Sequence, residues 1–152
     1  GWLISMVAVG LIQHTSIAHA RTIIKPHIGN YFLAFNLTEL IFLMIATTIT
    51  LNFNWVELHS VYGLLAIVST FHTYIYYRTR DKGSLIILGG LAITGVASLV
   101  FNNKLSLHSW FNYQDISHML LAIAAYVLYL GAIRLQKRES KPFYINLKSF
   151  KF

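Results

Sequence analysis

The chain has 152 residues, 56% of them hydrophobic and only 11% charged, with a mean hydropathy of +0.58. A soluble domain carries roughly a quarter charged residues, so this composition points away from a soluble globular protein and toward the membrane. There is no cysteine, which excludes disulfides, thiolate metal sites and covalent c-type haem attachment.

Five apolar stretches follow one another, each close to the roughly 20 residues that cross a bilayer as a helix: 2–20, 30–52, 55–78, 83–102 and 113–135. The first begins beside Gly1 without a basic leader, so it reads as a span and not as a signal peptide. Short polar breaks, "RTIIKPHIGN", "NFN", "RTRDKG" and "NNKLSLHSW", separate the spans. "NFN" is so brief that the second and third spans must form a tight antiparallel hairpin. The fourth span strings Gly89, Gly90, Gly95, Ala97 and Ser98 along one helix, and small residues allow close helix approach in lipid. The predicted fold is therefore an all-α polytopic membrane bundle of five transmembrane helices over 1–135, followed by a basic tail over 136–152.

The net charge of +7 needs no nucleic acid to explain it. If the five spans alternate, Arg21, Lys25, Arg78, Arg80, Lys82, Arg134 and the tail lysines and Arg138 share one side, and only Lys104 takes the other. That is the positive-inside pattern, with the C-terminus cytoplasmic. Trp2, Trp55 and Trp110 fall at the outer interface and Tyr74, Tyr76 and Tyr77 at the inner one, as amphipathic rings do. The partner this predicts is the lipid bilayer, with other membrane subunits as further candidates. The expected location is a bacterial inner membrane. The tail, basic and aromatic, suits an anionic leaflet.

Ionisable residues inside a span are costly and mark candidate sites. Counting depth at about 1.5 Å per residue sets His14, Asn36, Glu39 and His72 in one inner layer. Glu39 sits near the bilayer centre, where a histidine partner or a proton would relieve it. A second group, Glu57, His59, His108, Asp115 and His118, lies toward the outer face. Gln114, Asp115 and His118 share a helix face through their spacings of three and four. His59, His108, Asp115 and His118 offer the N and O ligands that zinc takes tetrahedrally. The plainer reading of Asp115 is a helix N-terminus whose dipole it complements.

Haem b is the second cofactor these residues allow. His59 and His72 lie thirteen apart on one helix, and depth permits the pairs His14 with His72 and His59 with His118. On a regular α-helix, however, thirteen steps leave His59 and His72 about 140° apart, which favours one haem over two.

The run Trp110-Phe111-Asn112-Tyr113-Gln114-Asp115-Ile116-Ser117-His118, followed by "LLAIAAYVLYLGA", resembles the closing helix of an uncharacterised bacterial multi-pass membrane family with a W-F-N-x-x-D-x-x-H signature. "VGLIQH" around His14 is similar to an element of an upstream helix in that family. The resemblance implies that further helices precede Gly1. That family in turn looks distantly like the ceramidase and progestin/adipoQ-receptor superfamily of membrane metal hydrolases, which implies bound zinc and hydrolysis of lipid or amide substrates, with His59 and His108 as replacement ligands and Asp115 or Glu57 as base toward the metal-bound water. Tyr113 and Gln114 depart from the pattern, standing where histidine and a first ligand would be. Three functions are thus open: an intramembrane His/acid site of hydrolase type, a b-haem subunit of an electron-transfer complex, or an accessory subunit with no cofactor.

Overall fold

The computed structural model describes residues 1–108 and 110–139. These form helices α1 (Trp2–Ala20), α2 (Pro26–Thr50) and α3 (Asn54–Val61), a π-helical segment (Tyr62–Val68), then α4 (Ser69–Thr79), α5 (Lys82–Asn102) and α6 (Tyr113–Glu139). Because α3, the π segment and α4 follow without a break, five helical rods result, and the bundle is all-α.

The helix ends follow from local chemistry. Pro26 occupies the first turn of α2, where its missing N–H costs nothing, so α2 starts four residues earlier than the apolar run suggests. Leu51 ends α2 and Arg80 ends α4 in the left-handed region, with φ of 49° and 53°. Asn52 then accepts the Asn54 N–H at 2.9 Å, closing the α2–α3 hairpin as an Asx turn. After Arg80, the Asp81 carboxylate caps α5 by accepting the Ser84 N–H at 2.8 Å.

α1 packs against α2, α3, the π segment and α4, while α5 packs against α4 and, most extensively, α6. The cores are small: Ile17, Ala20, Phe71 and Ile75 in one, Val68, Ile87, Leu91 and Leu135 in another, and Met6, Leu43 and Val56 in a third. Ile4, Leu11, Phe42, Ile49 and Leu99 are all more than half exposed. Apolar residues around the whole helix circumference fit a solvent that is itself hydrocarbon. The protein is a multi-pass membrane protein.

One expectation is corrected. Among the described residues four helices, not five, are long and apolar enough to cross a membrane: Trp2–Ala20, Pro26–Thr50, Lys82–Asn102 and Tyr113–Gln136. The expected third span, 55–78, is divided by its π segment, and its longest α-helical piece, α4, has 11 residues. That is well short of a bilayer. The sidedness argued from five alternating spans loses its count with it. Of the expected tail, 136–139 continue α6, and the remainder lies outside the described residues.

The small residues of the fourth span divide sharply. A Cβ on Gly89 or Gly95 would meet nothing within 4 Å, whereas one on Gly90 would lie 2.9 Å from Leu128. The closest backbone approach is one the small-residue run did not show: a Cβ on Gly131 would come within 3.2 Å of the Gly83 carbonyl oxygen and 3.1 Å of the Ile87 nitrogen. Gly131 is what lets α6 lie flat on α5.

Candidate functional site

Two of the seven histidines are sealed inside the bundle, His59 at 0% and His72 at 1% exposure, and each organises a polar node. His72 on α4 is held between two hydroxyls. Its Nε2 lies 3.1 Å from Ser16 Oγ of α1 and its Nδ1 3.2 Å from Ser84 Oγ of α5. Ser16 spends its own proton on the Ile12 carbonyl at 2.7 Å, so the ring donates from Nε2, and in its neutral form it accepts the Ser84 hydroxyl at Nδ1. A neutral imidazole satisfies every one of these bonds. The Asp81 cap fixes the first turn of α5 and with it the position of Ser84. His19, one turn beyond Ser16 on α1, stacks on His72 with ring centroids 6.5 Å apart.

Beside this node a cavity of about 1000 Å³ runs between α1 and the α5–α6 pair. Ile12, Ala125 and Leu128 are among its apolar walls, and Ser16, His19 and His72 give it a polar end. Its mouth is flanked by exposed residues of α1 and α6, Thr15 and Tyr129 among them. An apolar cavity with a few convergent polar groups is the usual form of a small-molecule site.

The second node joins the other face of α1 to α2 and α3. His59 Nδ1 lies 2.8 Å from Glu39 Oε1, and its Nε2 3.1 Å from the Met6 carbonyl oxygen. One turn away, Asn36 donates to the Gly10 carbonyl at 3.3 Å. Thr47 donates to the Leu43 carbonyl at 2.7 Å, with its oxygen 3.6 Å from Met6 Sδ. The inner layer expected from depth is thus divided: Glu39 and Asn36 stand with His59, His72 stands apart with the serines, and His14 is exposed on α1.

The residues expected at the outer face are placed as follows. Glu57, His108, Asp115 and His118 are exposed. Asn112 Oδ1 accepts the Gln114 N–H at 2.8 Å and Asp115 accepts the Asn112 N–H at 3.0 Å, a reciprocal capping box for α6. His118 donates from Nδ1 to the Gln114 carbonyl one turn back, at 2.6 Å. His108 pairs by ring contact with Trp110. Among the described residues, no three His, Cys, Asp or Glu come together in a group that could hold a metal. Both ring nitrogens of His59 and of His72, the two histidines considered for haem on one helix, are engaged by protein atoms.

Ser16, His19 and Ser84 were not among the sequence candidates. A signal for the cavity was present in α6, where Ala125, Leu128, Ala132 and Gln136 recur at helical spacing. Alanines on the stripe that faces the cleft leave room that leucines would fill.

A family model described as "Family of unknown function (DUF6962)" matches residues 1–137. The chain belongs to that family. No curated protein and no solved structure matches the DUF6962 chain. Membership agrees with the resemblance to an uncharacterised multi-pass membrane family.

Proposed function

We propose that this DUF6962 protein binds a lipid-like amphiphile in the cleft between α1 and α6, with the polar head of the ligand at Ser16, His19 and His72. The observation that carries this reading is the position of the cavity. It is walled by three membrane-crossing helices, so the molecules that meet its mouth are those dissolved in the bilayer. A chain-like ligand would cover Ile12, Ala125 and Leu128, and its head would meet the His19 imidazole and the Thr15 and Ser16 hydroxyl oxygens, whose remaining lone pairs accept hydrogen bonds.

Hydrolysis of an ester or amide in such a ligand is the activity to assay, given what the closing helix resembles. The zinc version needs ligands brought together from separate helices, since the capping box already employs Asp115. The b-haem version needs a ring nitrogen of His59 or His72 to leave its present partner. Lipid binding needs no new ligand set and, with the head held by His19 and the hydroxyl oxygens beside the His72 ring, no ring nitrogen of His72 has to leave its partner, so it is the reading the geometry favours.

The test is mass spectrometry of lipid retained by the protein purified from native membrane in mild detergent. The native chain should carry one lipid species in near-stoichiometric amount, and Ala125→Trp, which fills the cavity, should lose it. Equal retention by Ala125→Trp sinks the proposal. Elemental analysis for zinc and iron on the same preparation decides whether a metal or haem accompanies the lipid.

A further inference from the structure

The Glu39–His59 contact fixes a proton count, independently of the cavity. The Met6 carbonyl oxygen, 3.1 Å from His59 Nε2, can only accept, so Nε2 carries a hydrogen. If Nδ1 were bare and Glu39 ionised, two acceptors would then face each other at 2.8 Å with nothing between them. The contact must contain a proton. It resides either on Nδ1, giving imidazolium against carboxylate, or on Oε1, giving imidazole against carboxylic acid. In both forms the pair is neutral overall and holds one shared proton. Neutrality is what burial demands, because His59 is fully buried and the Glu39 side chain is only 11% exposed, and an unbalanced charge there costs several kcal/mol.

A second observation lies in the same layer. Glu39 Oε2, Asn36 Oδ1 and Gln13 Nε2 are buried without a hydrogen-bond partner, and Gln13 and Asn36 are 1% and 4% exposed. Asn36 is one turn from Glu39 on α2. Gln13 is one turn from Gly10, whose carbonyl takes the Asn36 amide, and its amide presses on Gly63, one turn from His59. Two unfilled acceptors and one unfilled donor match one water molecule, which donates twice and accepts at least once. Gly63 also lies in the π segment, a geometry that recurs at functional sites. From these two observations we infer that Glu39 and His59 form a proton-binding site buried between α1, α2 and α3, completed by a water held between Gln13, Asn36 and the free oxygen of Glu39. Tyr62, in electrostatic contact with Glu39, is the neighbouring titratable group.

The experiment is nitrogen NMR of the full chain, histidine-labelled, in lipid bilayers, with infrared spectroscopy of the same sample. His59→Gln assigns the ring signals and Glu39→Gln the carboxyl band. The expected spectrum shows His59 protonated at Nε2. Nδ1 then either bears a second proton or accepts one from a carboxylic acid whose band vanishes in Glu39→Gln. A ring protonated at Nδ1 alone, beside an ionised carboxylate, would overturn the inference, since the pair would then carry a net negative charge. Should His59→Gln fail to fold, Glu39→Gln still assigns His59. Its amide N–H can replace the shared proton, so this variant should fold with His59 neutral and protonated at Nε2, and a ring protonated at Nδ1 alone in it also overturns the inference.

Discussion

His72 and Ser84 stand on consecutive helices and meet at 3.2 Å, Nδ1 to Oγ, across a two-residue turn made by Arg80 and Asp81. The turn sets the register of α5 against α4. With the Ser16 hydroxyl on the other ring nitrogen, His72 bonds α1 to α5 through α4.

If that bond joins the helices, His72→Ala and Ser84→Ala should not be additive. Each should destabilise the bundle. In a double-mutant cycle the pair should show a coupling of about 1 kcal/mol, the usual net worth of a buried hydrogen bond. Thermal unfolding of the four proteins in one detergent measures it, and a coupling near zero would separate His72 from Ser84.

Gly131 and Gly95 supply a matched pair. Gly131→Ala must push against the backbone of α5, at a cost of about 1–3 kcal/mol for overpacking. Gly95→Ala meets empty space and should be neutral or stabilising by up to roughly 1 kcal/mol, since alanine prefers a helix. Unfolding midpoints that rank the two variants the other way would contradict the α5–α6 packing.

Leu51 is 76% exposed with φ of 49°, a conformation that costs a side chain on the order of 1 kcal/mol. Leu51→Gly should therefore raise stability by about that amount and Leu51→Val should lower it. The same unfolding assay reads both signs.

The capping box at the start of α6 should be separable from any cofactor. Asn112→Ala should cost about 1 kcal/mol and speed hydrogen exchange at the amides of 113–116. Bound metal, if the protein carries one, should be unchanged. Metal lost in step with the faster exchange would mean that Asp115 ligates as well as caps.

The helices were legible in the sequence because lipid-facing helices must be apolar throughout, and hydropathy alone marks them. The π segment was not, because "YGLLAIV" is as apolar as any α-helical span, and a change of hydrogen-bond register leaves no mark in composition. That change matters for the histidines. The wider π turns alter the angular relation between His59 and His72 that regular α geometry predicts, and both rings end inside the bundle, against different partners. Depth counting correctly made Glu39 a residue in need of a partner, and that partner is an imidazole. It could not choose His59 over His14 or His72, since depth carries no information about which helices are neighbours. Asp115 was legible twice, as a ligand and as a cap, and the hydrogen bonds show the cap.

If the seam between α1 and the α5–α6 pair takes a ligand as proposed, its position decides how occupancy is controlled. α1 belongs to one packed group and α6 to another, and the cavity lies where the two face each other. A molecule entering there moves sideways out of the hydrocarbon phase, already stripped of water. Its concentration in the aqueous phase is then the wrong variable. What sets occupancy is its mole fraction in the membrane, so a titration should vary lipid composition at constant total lipid, and a poorly soluble ligand is at no disadvantage.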